Sequence, residues 1–293
     1  MAERIYIPQI QVRSKSLVHY YQAADPPTYH RFQFNKPTYS GTVTEHSRKR
    51  ILRAVDIFLQ KSKTRKVFNP VIGTQVNFRL NFITLTISAR RLIDATEGHP
   101  ALKIFLQHFK RPQAKKAISE QLRSYLWKAE LQQRGQLHYH ITTNSFLHFG
   151  EIQRVWNGIQ FNRGWLIDFQ REHGHTNPVA STDVHAVYKV KDIQAYLGKY
   201  LSKSGRKDVS EAGFSVPIYT PTVGGKVWDC SEDLRGSRFS MEMDNGTEAN
   251  IHQALSERKI KRLDFDRCTI FESPNPLKHL SPAARALYDV WVN

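Results

Sequence analysis

Apolar side chains recur at helical spacing over residues 47–66. Ile51, Leu52, Val55, Phe58 and Leu59 fall on one face, while Arg48, Lys49, Arg50, Arg53, Lys61 and Lys63 are left to solvent. The run Phe82-Ile83-Thr84-Leu85-Thr86 alternates inside a strand expected over 76–88. Helices are expected over 100–109 and 112–121, then strands over 123–132 and 136–143 joined at Arg134-Gly135. A helix over 149–161 follows. The next strand is expected over 183–190, where Val184, Ala186, Tyr188 and Val190 share a face, and a helix over 192–204 is stopped by Gly205. A last helix covers 282–292, beyond a mixed stretch holding Pro217, Pro221 and Gly224-Gly225. Residues 1–46 are polar and aromatic, are broken by Pro26-Pro27, and read as an extended or loosely structured arm. Strand, helix, hairpin, helix, strand and helix in that order predict an α+β fold: a central antiparallel sheet with helices packed on it. The expected division is a basic arm and helix over 1–70, a core over 71–205 and an accessory region over 206–293.

Charge adds a partner to this picture. The 293 residues carry a formal net charge of +17. Residues 1–75 hold 13 basic and 4 acidic side chains, and residues 76–150 hold 11 and 4. Residues 151–200 add only +1 and residues 201–293 balance at zero. Such a surface attracts polyanions, nucleic acid before membrane, with an affinity that falls steeply with salt. No apolar run approaches the length of about eighteen residues that spans a bilayer, and the opening residues lack the apolar core of a signal peptide. Two cysteines, Cys230 and Cys268, exclude a disulfide framework or a four-cysteine metal site and fit a reducing cytoplasm.

The densest chemistry lies in the hairpin. His138 and His140 are two apart in a strand and so share a face, at a spacing that suits a metal. The turn decides whether Glu130 joins them. A two-residue Arg134-Gly135 loop pairs Glu130 with Tyr139, on the wrong face. A three-residue Gln133-Arg134-Gly135 loop pairs it with His138, and needs a left-handed last residue that Gly135 supplies. The longer turn, with a Glu130, His138, His140 triad, is the expectation. A second pair, His173 and His175, flanks Gly174 in a loop without a nearby cysteine and reads as surface or substrate contact.

Tyr196 and Tyr200 are four apart on the expected helix, so they point the same way. Ile193, Leu197 and Leu201 form its core stripe. The tyrosines border that stripe, with Lys199 and Lys203 just beyond. Positive charge beside a phenol lowers a pKa of about 10 and favours the phenolate. The same residues also read as an ordinary amphipathic helix.

Taken in order, the strand Phe82–Thr86, the His138-Tyr139-His140 strand and the Tyr196/Tyr200 helix resemble the three motifs of the HUH endonuclease superfamily. The paired tyrosines with Lys199 and Lys203 are most similar to rolling-circle replication initiators of single-stranded DNA phages and bacterial plasmids. The resemblance covers about residues 76–205 and implies an HUH/RRM-like nuclease fold. It implies nicking and rejoining of single-stranded DNA at a replication origin through a 5′-phosphotyrosine. It also implies Mg²⁺ or Mn²⁺ held by Glu130, His138 and His140, although those ligands would also accept Zn²⁺. Arg48, Lys49, Arg50, Arg53 and Arg134 would contact the strand. Host helicase and polymerase, in a bacterial host cytoplasm, would act on the freed end. No nucleotide cofactor is implied, and Val223-Gly224-Gly225-Lys226 lacks the outer residues of a phosphate-binding loop. The same chemistry in a transposase or relaxase, a non-enzymatic single-strand binder, and a zinc hydrolase using His173 and His175 are the competing readings.

Overall fold

The computed structural model describes residues 5–24, 41–112, 118–132, 134–178, 181–186, 197 and 222–293. It is α+β, with antiparallel sheets and helices. The chain divides into two compact units. One comprises residues 38–58 and 62–235, the other residues 1–37, 59–61 and 236–293. Among the described residues no helix is long and apolar enough to cross a membrane.

The larger unit is built on a five-stranded antiparallel sheet. Its strands are β5 (Asn81–Thr86), β6 (Tyr125–Leu131), β7 (Leu137–Thr143), β8 (Thr182–Ala186) and β9 (Trp228–Cys230), in the order β8-β5-β7-β6-β9. Period-two alternation gives the sheet two different faces. Ile83, Leu85, Trp127, Ala129, Tyr139 and Ile141 point one way and are buried. They pack with Ala101, Leu102, Phe105 and Phe109 of α2 (Ala95–Lys110) and with Ile152 and Trp156 of α3 (Phe149–Asn162). Phe105 and Tyr139 both meet Trp156 edge-on, at 6.0 and 6.5 Å between centroids. Trp156 Nε1 donates to the Thr86 carbonyl at 2.8 Å, which pins α3 to β5.

The alternating run expected over 76–88 is split. Its first half is β4 (Thr74–Phe78), paired with β3 (Arg65–Asn69) in a separate hairpin, and only the second half enters the main sheet as β5. α2 begins five residues before Pro100, because the Asp94 carboxylate accepts from Thr96 N and Glu97 N and caps an earlier start. Residues 118–121 are not helical, and the rest of that expected helix lies outside the described residues. α1 (Glu45–Lys61) buries Ile51, Val55 and Phe58 and leaves Arg48, Lys49, Arg50 and Arg53 exposed. A short α4 (Ile167–His173) follows α3.

Gly98 sets the distance between α2 and β7. A Cβ there would lie 2.4 Å from Leu137 Cδ2 and 2.6 Å from the Tyr139 hydroxyl. Tyr139 cannot yield, since its ring is buried and its hydroxyl is bonded to His99 Nδ1 at 2.9 Å. Alanine would gain about 1 kcal/mol of helix propensity over glycine, but overpacking costs about 1–3 kcal/mol. Gly98→Ala is therefore expected to lower the melting temperature by about 2–6 °C, as read by thermal unfolding.

The smaller unit corrects the expectation of a loose arm. Residues Tyr6–Arg13 and Ser16–Ala23 form a hairpin, β1 and β2. It sits inside a second five-stranded sheet with β10 (Ser240–Glu242), β11 (Lys261–Phe265) and β12 (Cys268–Glu272), in the order β10-β1-β2-β12-β11. Ile10, Val12, Leu17 and Phe271 pack with Ile251 of α5 (Asn245–Ser256) and with Ala284, Tyr288 and Val292 of α6 (Pro282–Val292). α6 has the bounds its pattern predicts, capped by Ser281 Oγ accepting from Ala284 N.

Candidate active site

The other face of the β8-β5-β7-β6-β9 sheet is polar. Gln132 and Gln136 close a loop of residues 133–135. Gln132 N donates to Gln136 O at 2.9 Å, Gly135 N donates to Gln132 O at 2.8 Å, and Gly135 sits at φ +81°. This is the three-residue turn. It pairs Glu130 with His138 and, on the far side of β7, Thr86 with His138 and Thr84 with His140. Glu130, His138, His140, Thr84 and Thr86 therefore share one face.

The contacts on that face are specific. His140 Nδ1 is bonded to Thr84 Oγ1 at 3.2 Å and His138 Nδ1 to Thr86 Oγ1 at 3.4 Å. The two threonines of the β5 run thus turn both rings by the same edge. His140 Nε2 lies 3.3 Å from Glu130 Oε2, and the two imidazole centroids are 5.2 Å apart. Phe82 stacks on His140 at 5.6 Å with a 22° interplanar angle. Lys128 Nζ donates to Glu130 Oε1. Lys128 is buried, a position that an ammonium group holds only when paired. Among the described residues, no three His, Cys, Asp or Glu side chains stand as a ready metal-holding group. In this arrangement the Glu130 carboxylate is engaged by Lys128 and His140.

Both protonation states are fixed by the surroundings. Burial alone would raise the Glu130 carboxyl, but hydrogen bonds from His140 and Lys128, and their charge, hold it down to about 2. Burial, then the neighbouring His140, lowers His138 to about 4 against the opposing pull of Glu130. Each folded value lies below its unfolded one, so the unfolded chain binds more protons in acid. Stability should fall first between about pH 6.5 and 4 as His138 is asked to charge, and again between about pH 4.5 and 2 as Glu130 is protonated. Thermal unfolding followed against pH measures this. The upper step should be missing in His138→Asn.

Lys128 escapes a reading of the sequence that follows histidines, yet its signal is simple. Lys128 and Glu130 are two apart in one strand and alternate with buried Trp127 and Ala129. Trp228 of β9 pairs with Lys128, and the guanidinium of Arg50 lies 5.7 Å from its ring centroid. This brings one basic residue of α1 to the sheet. Arg48, Lys49 and Arg53 are exposed on the same helix, and Arg134 is exposed in the hairpin loop. Asp229 is held by Lys226 at 2.5 Å and Arg235 at 3.0 Å, which anchors the β9 edge.

His185 of β8 is exposed and bonded to Asp183 at 2.7 Å. His173 and His175 flank Gly174, which caps α4 in the left-handed region. Both pack on Phe169, at 4.3 and 5.3 Å. Their arrangement is that of a helix end. Tyr196, Lys199, Tyr200 and Lys203 lie outside the described residues. Leu197 between them is helical and fully buried.

Together these features define an α+β domain with one helix-covered sheet face and one face of imidazole, carboxylate, hydroxyl and ammonium groups. Residues 80–205 match the family model for replication-associated proteins of the ORF2 type. The match covers somewhat less than half of the chain and runs from β5 through β8 to the end of the expected tyrosine helix. The chain is similar there to replication-associated proteins. No curated protein and no solved structure matches it.

Proposed function

We propose that this protein initiates rolling-circle DNA replication by nicking and rejoining single-stranded DNA through a 5′-phosphotyrosine. The observation that carries the reading is the clustering of Glu130, His138 and His140 on one sheet face inside the segment matched to replication-associated proteins. Both rings are turned by threonines, and the carboxylate is ionised and the His138 imidazole neutral, the forms in which these side chains bind metals.

With each Nδ1–H donating to its threonine, Nε2 of His138 and His140 keeps its lone pair on the Glu130 side. These three residues would hold a divalent ion, Mg²⁺ or Mn²⁺ in preference to Zn²⁺. When bound, that ion supplies positive charge to the oxygens of the scissile phosphate. Lys128 balances part of the Glu130 charge and holds the carboxylate in place. Tyr196 or Tyr200 attacks phosphorus. The Oη–P bond forms, the P–O3′ bond breaks, the phenolic proton passes to solvent and the leaving 3′ oxygen takes one up. Lys199 and Lys203 favour the phenolate. The 3′-hydroxyl primes synthesis by host polymerase behind a host helicase, in the cytoplasm of a bacterial host. The second tyrosine attacks the regenerated origin and the two exchange roles. Arg48, Lys49, Arg50 and Arg53 on α1, and Arg134 beside the hairpin, guide the strand.

The test is an origin-containing single-stranded oligonucleotide incubated with the protein and Mg²⁺ or Mn²⁺, then resolved on a denaturing gel. A covalent protein–DNA band and a free 3′-hydroxyl fragment are expected. Tight binding with no adduct under either ion would leave a non-enzymatic single-strand binder.

A further inference from the structure

We infer that the sheet of the smaller unit carries a second single-stranded DNA site, a base-stacking cleft separate from the imidazole face. The inference rests on the proposed DNA-processing function only for the identity of the polymer. The cleft itself is read from the residues.

The first residue of β1, the end of β2 and the two-residue Asp266-Arg267 turn between β11 and β12 all lie at one end of that sheet. They enclose an open cleft of about 590 Å³, inside the range of about 300–1,000 Å³ typical of small-ligand sites. Its walls include Tyr6, His19, Tyr21 and Phe265, and among the described residues no leucine, isoleucine, valine or methionine lines it. Tyr6, Tyr21 and Phe265 are 56, 63 and 58 % exposed. Aromatic rings of this size left in water cost free energy unless something covers them. His19 and Tyr21 lie 5.0 Å apart, so the rings form a group rather than scattered surface residues.

The chemistry of the lining selects the occupant. Grooves that take an amphipathic protein helix are lined by aliphatic side chains and methionine. Rings with hydroxyl and guanidinium groups beside them suit nucleobases, which stack on any aromatic face and hydrogen-bond at their edges. Arg267 is exposed at the turn and offers its charge to a phosphate. Asp266 next to it keeps the phosphates to the Arg267 side and accepts from amino groups on base edges. A duplex hides its base faces and cannot use such a cleft. A chain with net charge +17 draws the single strand to it.

The test uses the full chain with Tyr21→Ala and Phe265→Ala combined. Both rings are more than half exposed, so the fold should be kept, as an unchanged melting temperature will show. Binding of a dye-labelled single strand is measured by fluorescence anisotropy at salt high enough to suppress the phosphate contribution. The dissociation constant is expected to rise roughly ten- to hundred-fold, the loss of one or two stacked bases. Tyr21→Phe with Phe265→Tyr should restore it. An abasic strand should bind wild type and the double alanine variant alike. An unchanged dissociation constant in the alanine variant would overturn the inference and leave the cleft to a protein partner. Nicking is scored separately. A wild type that never nicks, with an alanine variant that still binds weakly, removes the proposed function and keeps the cleft. A wild type that nicks, with an alanine variant that binds normally, does the reverse.

Discussion

His138→Ala is expected to lower metal-dependent cleavage of an origin oligonucleotide by about 10²–10³-fold while binding of the same strand changes little. The separation follows from where the ring sits. His138 lies between Thr86 and Glu130 on the polar face, and its neighbours Leu137 and Tyr139 carry the core packing on the other. Removing the imidazole therefore deletes a ligand without opening a cavity in the core. Strand affinity comes from distributed positive charge, with Arg48, Lys49, Arg50 and Arg53 exposed on α1, and one neutral side chain contributes little to it. Thr86→Val is the graded control. It keeps the ring and removes the hydroxyl that orients it, so a loss of about 10–100-fold, partly recovered at higher metal concentration, is expected. Cleavage by His138→Ala at the wild-type rate would show that the ring has no part in the chemistry, and equal losses in binding and cleavage would show a misfolded sheet.

Features encoded by neighbouring residues were legible in the sequence. The hairpin register follows from a single glycine: Gly135 at φ +81° permits the three-residue turn, and that turn puts Glu130 opposite His138. Helices α1, α3 and α6 follow from spacing and caps. What escaped depends on partners far along the chain. β1 pairs with β10 and β2 with β12, each more than two hundred residues away. Pro8 inside β1 also argues locally against a strand. It is tolerated where it lies, one residue before the Gln9–Gln11 pairing with β10 begins. The burial of Lys128 was hidden for a related reason. A lysine reads as surface until the strand beside it, β9, supplies Trp228 as a cross-strand neighbour. The two imidazoles could be read from their spacing, but the threonines that orient them belong to a strand more than fifty residues upstream.

The largest effect is expected where the bond to DNA would form. Tyr196→Phe combined with Tyr200→Phe should abolish the covalent adduct, a loss of more than about 10³-fold, because phenylalanine keeps the ring and removes the only atom that can bond to phosphorus. The fold should survive. Leu197, fully buried between them, fixes the helix that carries them, and on that helix the tyrosines border the core stripe rather than form it. Each single variant should keep part of the adduct, since residues four apart on a helix present their hydroxyls to the same place. The two singles need not be equal. The one that loses the first-round adduct is the initiating nucleophile, and the one that loses only strand rejoining is the acceptor. Lys199→Met in an otherwise wild-type chain should move the alkaline requirement of adduct formation to higher pH, because a phenol deprived of nearby positive charge ionises later. A double tyrosine variant that still formed the adduct would place the nucleophile on another residue while leaving the metal-site test on His138 intact, so the two halves of the mechanism stand or fall separately.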